Sequence, residues 1–220
     1  MYDPVLDELR NPVNIFYLAR DPAEAARAHC DKHVVKMILE TAQLLSTAWH
    51  VEAPERVARD YVRTDPLARS WMPNDAKHDC GLAYYLGNQQ IYAPTHPHHP
   101  SALWVRESRV AYDWAWRLGQ ELLDEYTFRY GRLHASRHAL RALEWAPPAL
   151  PDIPLSEPNV AMPDHCVVAT TDGYVDALAS YRNYYRTEKV RMLVYTKRHA
   201  PDWLRDIAVE KAPIVSKKRA

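Results

Sequence analysis

Residues 29–47 read HCDKHVVKMILETAQLLST, and how this run winds decides the fold. Val34, Met37, Ile38, Leu44 and Leu45 recur at helical spacing, so the stretch predicts a helix that is apolar around most of its circumference. At about 100° per residue, His29, Lys32, His33, Lys36, Glu40, Gln43 and Thr47 fall within a sector of roughly 100°. A helix with a single polar stripe packs among other elements and turns that stripe to solvent or to a cleft. Its wealth of histidine favours the cleft, because solvated helix faces are dominated by Glu, Lys and Arg.

Working outward, VNIFYLA at 13–19 is a β-prone run that predicts an isolated strand or an extended segment laid over the core. Asp21-Pro22-Ala23-Glu24 reads as a cap, a proline at the first helical position and an acid behind it, so one long helix is expected from about Pro22 to His50. Further helices are expected over 54–63, near 78–90, over 101–131 with Ser101 as cap and Gly131 as stop, over 134–144, and over 172–195. Residues 145–165 hold six prolines and predict an ordered connection anchored by Trp145, Leu150, Ile153, Val160 and Met162. Residues 1–12 read as an extension and 212–220 as a loose tail. The fold class is mainly α: one compact helical domain over 1–220 with a short N-terminal extended segment.

Composition removes several classes of function. There are five glycines against seventeen prolines, and no G-x-G-x-x-G, G-x-x-x-x-G-K or G-x-S-x-G motif. Glycine-cradled phosphate sites and nucleophile elbows are therefore excluded, and any site is built from side chains. Cys30, Cys80 and Cys166 are odd in number and widely spaced, which points to free thiols in a reducing compartment. No apolar run reaches membrane length, and the first residues do not resemble a secretion signal, so a cytoplasmic protein without membrane contact is expected (host cytoplasm, were it phage-encoded). The 28 basic and 28 acidic residues cancel, so attraction to a polyanion must come from a local patch.

Three constellations carry chemistry. Along the stripe, His33, Lys36 and Glu40 stand one turn apart, close enough to perturb one another's protonation, and are candidates for nucleophile, acid and base. The same stripe could be a solvated face. A metal alternative would use His29, His33 and Glu40 with histidines of THPHHP at 95–100, although Lys32 and Lys36 would repel a cation. Near the C-terminus, Tyr181, Arg182, Tyr184, Tyr185, Arg186, Lys189 and Arg191 interleave charge with rings, as stacking on bases and pairing with phosphates require, or as a helix with buried tyrosines would show. Finally, Arg106 and Arg129 beside Glu107 and Glu125 read as interhelical ion pairs or as phosphate anchors.

The runs NIFYLAR, CDKHVVKMILETAQLLSTA, HPSALWVRES, LLDEYTFRYGRLH, AMPD and YRNYYRTEK resemble a family of phage and phage-like proteins sometimes labelled pyrimidine-dimer DNA glycosylase. The resemblance spans about Val13 to Trp203. A fainter likeness extends to the endonuclease V pyrimidine-dimer glycosylases, which are compact helical domains that extrude a base from duplex DNA and cleave its glycosidic bond. They use an N-terminal amine and a glutamate. Their Arg-Glu-Leu-x-Arg run falls on Lys32-His33-Val34-Val35-Lys36, so His33 stands where that family carries its glutamate, and Glu40 or Asp31 is the carboxylate left to replace it. Twelve residues precede the matching segment, so Lys36 or Lys32 would supply the amine, or water would attack instead.

The resemblance implies a monomeric enzyme acting on a damaged or modified pyrimidine in duplex DNA, with no cofactor and no metal. His33, Lys36, Glu40 and Asp31 would be its catalytic residues. Lys32, His99, Arg106, Arg129, Tyr126, Arg182, Tyr185 and Lys189 would contact DNA. Alternatives are a phage enzyme that hypermodifies an activated 5-substituted pyrimidine, a metal-dependent helical enzyme and a non-catalytic DNA-binding protein.

Overall fold

The computed structural model describes residues 13–61 and 82–207. The extension 1–12, the tail from 208 and Cys80 lie outside the described residues.

Val13–Ala19 forms the centre rather than the cover. All seven residues are buried, with no periodicity, because protein surrounds the run on every side. Among the described residues it has no strand partner, and side chains bond to its backbone. The Asn14 N–H donates to Glu40 (3.0 Å), the Ile15 N–H to Ser101 Oγ (3.2 Å), and the Leu18 carbonyl accepts from Arg182 Nε (3.0 Å).

Helix α1 (Pro22–Ala28) starts as its sequence requires, with the Asp21 carboxylate accepting from the Glu24 N–H. It does not run on to His50. His29 and Cys30 are extended, and α2 begins afresh at Asp31 and continues to Glu52. Distant groups take up the backbone atoms released by the break. The Asp31 N–H donates to the Val194 carbonyl (2.8 Å), and Tyr195 Oη donates to the Ala28 carbonyl (3.0 Å).

Where a helix is expected over 54–63, the described residues form a 3-10 turn (Pro54–Arg56) followed by β1 (Val57–Tyr61), and 62–63 lie outside the described residues. Where one is expected near 78–90, the described residues form a hairpin of β2 (Leu82–Leu86) and β3 (Gln89–Ile91), and 78–81 lie outside them. The order is β1-β2-β3, antiparallel throughout, with Arg59 opposite Tyr84 and Tyr84 opposite Ile91. Gly87-Asn88 makes the two-residue turn, with Gly87 at φ +62°, and the tyrosines before it favour strand.

The span 101–131 also divides, into α3 (Pro100–Val105) and α4 (Arg109–Tyr130). Ser108 is extended, and its hydroxyl accepts from the Ala111 N–H (3.0 Å), capping α4 where a continuous helix was expected. His99 rather than Ser101 caps α3, and Gly131 ends α4 at φ +65° as read from the sequence. Helix α5 covers Arg137–Ala142 within the expected 134–144. Helix α6 covers Ala177–Glu188, shorter at both ends than 172–195, because Asp176 caps its start through the Ala179 N–H and Lys189 leaves helical geometry.

The connection 145–165 is irregular, apart from a 3-10 turn at Asp164–Cys166. Leu150 is buried and Val160 and Met162 pack on the core, whereas the side chains of Trp145 (74 % exposed) and Ile153 face outward, and Trp145 is tied through its carbonyl, which accepts from Trp49 Nε1 (3.2 Å).

Helices α2 and α4 cross at the centre of one largely helical domain with a small sheet attached. At Gly119 of α4 an added Cβ would lie 2.8 Å from Leu140 Cδ2 and 3.2 Å from Thr41 Cγ2, so any larger residue here must displace the Leu140 side chain of α5. Among the described residues no helix is long and apolar enough to cross a membrane.

Candidate functional site

The polar row of α2 is not one solvated stripe, and of its members only Lys32 lines a recess. Its histidines and Glu40 are enclosed by the 13–19 segment and α6, while Lys32 and Lys36 reach solvent. His29, displaced from the helical ladder by the break before α2, donates through Nδ1 to the Ala25 carbonyl (2.6 Å). Burial, only partly offset by that bond, pushes its pKa down to about 4. Its buried Nε2 has no hydrogen-bonding partner among the described residues.

His33 stacks on Phe16 (centroids 4.3 Å apart, planes 17° apart) and meets Tyr185 Oη at 2.5 Å through Nδ1. Burial, with the nearby His29, Lys189 and Lys36, drives its pKa down to about 2. Burial also holds the Tyr185 phenol well above its ordinary pKa, so a neutral ring and an un-ionised phenol share this hydrogen bond, with the donor set by the imidazole tautomer. His33 is thus a positioning group for α6.

Glu40 is the buried carboxylate of the row, 5 % exposed. One oxygen accepts from the Asn14 N–H, and the other lies 2.8 Å from Lys36 Nζ. Burial raises its pKa against the opposing hydrogen bond and charge of Lys36. Lys36 itself has 53 % of its side chain exposed. The pair therefore joins the core to the surface, with a carboxyl inside and a primary amine at the rim. Lys189, whose charge like that of Lys36 bears on His33, has its Nζ 4.4 Å from the centroid of Tyr184.

Asp31 and Arg129 belong to a different assembly. Arg129 is buried, and its guanidinium donates to Glu125 (2.7 Å), Asp31 (2.9 Å) and the Arg27 carbonyl (3.2 Å). Asp31 also accepts from Thr196 N–H and Oγ1, and Arg198 grips Glu125 through two nitrogens. The network ties the start of α2 to the end of α4 and to the 194–198 segment. Arg129 has its donors turned inward, away from any phosphate.

Beside that network opens a recess of about 440 Å³, lined by Asp31, Lys32, Val35, Tyr126, Tyr130 and Arg132. Tyr126 and Tyr130 have ring centroids 5.0 Å apart. A second recess of about 330 Å³ includes Arg27, Arg182, Arg198 and Trp203. There Arg182 is held by the Leu18 carbonyl and lies over Trp203 (5.5 Å). Arg106 belongs to neither, because it pairs with Glu52 (3.2 Å) and the Pro97 carbonyl at the far end of α2, about 24 Å along the axis from Lys36. His99 caps α3.

The residues read from the sequence are thus brought together in part. His33, Lys36, Glu40, Tyr185 and Lys189 meet on one side, Asp31, Lys32 and Tyr126 on another, and Arg106 stands apart. The metal alternative does not assemble. Among the described residues no cluster of three potential ligands contains His29, His33 or Glu40, and His96 is engaged by Thr95 beside Thr47, two turns beyond Glu40. Sequence reasoning passed over Asn14, whose backbone positions Glu40 and whose amide oxygen accepts from Ser101 and Tyr181 (3.1 and 3.2 Å), and also Tyr130 and Arg132 of the larger recess. A buried asparagine in an apolar run was the available signal.

Comparison of the chain with family models, with curated proteins and with solved structures finds no match.

Proposed function

We propose that the protein is a DNA-base-processing enzyme, most simply a glycosylase with lyase activity that acts on a damaged or modified pyrimidine. The observation that carries this reading is the Lys36–Glu40 pair: a primary amine at the rim, 2.8 Å from a buried carboxyl that is held toward its protonated form. An amine nucleophile needs a neighbour that accepts its proton and returns one to the leaving group, and Glu40 is placed for both.

In this scheme Lys36 Nζ attacks C1′ of an extruded nucleotide, the bond from C1′ to the base breaks, and the sugar ring opens to an imine on Lys36. Elimination then cleaves the strand, and water releases the lysine. Lys32 and Arg132, beside the paired rings of Tyr126 and Tyr130, suit a phosphate flanked by a stacked base. His33 and Tyr185 hold α6 so that Tyr184 and Lys189 face the same rim. The likeness in sequence to pyrimidine-dimer glycosylases supports the substrate class. With a formal net charge of zero, binding depends on these local cations and weakens steeply with salt. The same reading takes the enzyme to be a monomer, working in the cytoplasm without a required cofactor.

Duplexes carrying a thymine dimer, 5-hydroxymethyluracil or an abasic site test the proposal in a strand-cleavage assay. Cleavage of at least one, lost in Lys36→Ala, is expected. Intact strands and unchanged base masses with all three would exclude it.

A further inference from the structure

We propose that His165, Cys166 and Glu188 form a binding site for a borderline divalent cation of the zinc class, independently of the reading above. His165 and Cys166 are adjacent in the 3-10 turn that ends the proline-rich connection, and Glu188 is the last residue of α6. One ligand atom from each, an imidazole nitrogen, a thiol sulfur and a carboxylate oxygen, lies within 4.8 Å of both others. In a tetrahedral zinc site such atoms stand about 3.3–3.6 Å apart, as bond lengths near 2.0–2.3 Å dictate. His165 and Glu188 now touch at 2.7 Å and are well exposed, so their rotamers can open by the ångström needed to admit an ion.

The turn itself is fixed. The Cys166 carbonyl accepts from Asn183 Nδ2 (3.1 Å), and the Val168 N–H donates to Ser180 Oγ (2.8 Å), both groups belonging to α6. The buried sulfur lies 3.4 Å from Thr187 Oγ1. That hydroxyl donates to the Asn183 carbonyl (2.9 Å), so toward sulfur it accepts, and the thiol hydrogen points at Thr187. The sulfur lone pairs are left to an ion held with His165 and Glu188.

One thiolate, one imidazole and one carboxylate are donors that select zinc over magnesium or calcium, which require several oxygens. On binding, the thiol proton leaves to water, the imidazole keeps its proton on the nitrogen away from the ion, and water completes the fourth position. The ion would clamp the connection to the end of α6, next to Lys189.

Titration of metal-free protein with Zn²⁺ against a chromophoric chelator, and with Co²⁺ followed by its thiolate charge-transfer band, tests the site. One equivalent is expected to bind, with affinity falling by about tenfold or more in His165→Ala and in Glu188→Gln. These exposed positions spare the fold. The cobalt band should vanish in Cys166→Ser and persist in Cys30→Ser. Millimolar Mg²⁺ and Ca²⁺ should not compete. No zinc binding below about 100 µM, unchanged affinity in both exposed variants, or a cobalt band that survives Cys166→Ser would each overturn the proposal. Should Cys166→Ser not fold, the His165→Ala titration decides alone.

Discussion

Two glutamates on crossing helices are buried to nearly the same degree, Glu125 at 4 % exposure and Glu40 at 5 %, yet their environments drive them in opposite directions. Burial raises both. At Glu125 the hydrogen bonds and charges of Arg198 and Arg129 outweigh it, and the pKa falls below the ordinary carboxylate value. At Glu40 a single half-exposed lysine and one backbone N–H do not outweigh it, and the pKa rises. The first arrangement is closed on itself and holds elements together. The second leaves an amine at the rim and a carboxyl ready to exchange a proton, which is the condition for chemistry. On the proposed function, Glu125 serves the structure and Glu40 the chemistry.

The largest separation between the two should appear in activity. Lys36→Ala is expected to lower strand cleavage by about 10²–10⁴-fold, the scale of a lost acid–base or nucleophilic group, with stability changed by no more than about 1 kcal/mol because Lys36 is half exposed and Glu40, whose pKa is already raised, can take up a proton. An active Lys36→Ala enzyme would put Glu40 in the structural class with Glu125.

Stability should reverse the ranking. Glu125→Gln leaves two arginines around a neutral amide and should cost about 3–5 kcal/mol at pH 7, read by urea unfolding. Since the folded pKa of Glu125 is depressed, its contribution is present above the unfolded value of about 4.3 and is lost as pH falls through the folded one, so wild type and variant should converge in acid.

The polar row of Glu40 also includes two neutral buried histidines. His29 and His33 have folded pKa values of about 4 and about 2, so below the unfolded value of about 6.5 the unfolded chain binds protons that the folded chain refuses. Stability should therefore drop by about 1.4 kcal/mol per pH unit for each of them between about pH 6 and pH 4.5. Denaturation curves at pH 7, 6 and 5 that coincide would contradict the burial of both rings.

The smallest effect belongs to Glu40→Gln. An elevated pKa means that ionising Glu40 costs stability as pH rises past about 4.3, so the neutral amide should match or exceed wild type at pH 7 and lose that edge toward pH 4. The same variant should nevertheless lose activity. A large destabilisation at pH 7 would place Glu40 beside Glu125.

Local signals carried much of the fold. The start of α1 at Asp21-Pro22, the end of α4 at Gly131 and the extended backbone of 13–19 follow from residues next to them, whereas the place of 13–19 at the centre of the core does not. The break at His29-Cys30 was illegible for the opposite reason. The groups that make it tolerable, the Val194 carbonyl and the Tyr195 hydroxyl, come from the far end of the chain. The hairpin was legible but misread, since Gly87-Asn88 is a turn signal that helical spacing around Tyr84 and Tyr85 obscured.

Of the candidate site, the one-turn spacing of Lys36 and Glu40 is visible in the helical periodicity and is realised as an ion pair. What spacing along a helix cannot say is which side another element covers. Phe16 and Tyr185 enclose His33, and Arg129 is claimed by Asp31, through contacts between segments more than ninety residues apart or across the core.

The central claim is that the amine of Lys36 reacts with the deoxyribose of DNA. Incubating the protein with an abasic-site duplex and sodium borohydride, then sequencing the cross-linked peptide, measures this directly. A covalent adduct on Lys36, absent from Lys36→Ala and weakened in Glu40→Gln, is the predicted result. No adduct, or one that forms equally well on Lys36→Ala, would contradict it.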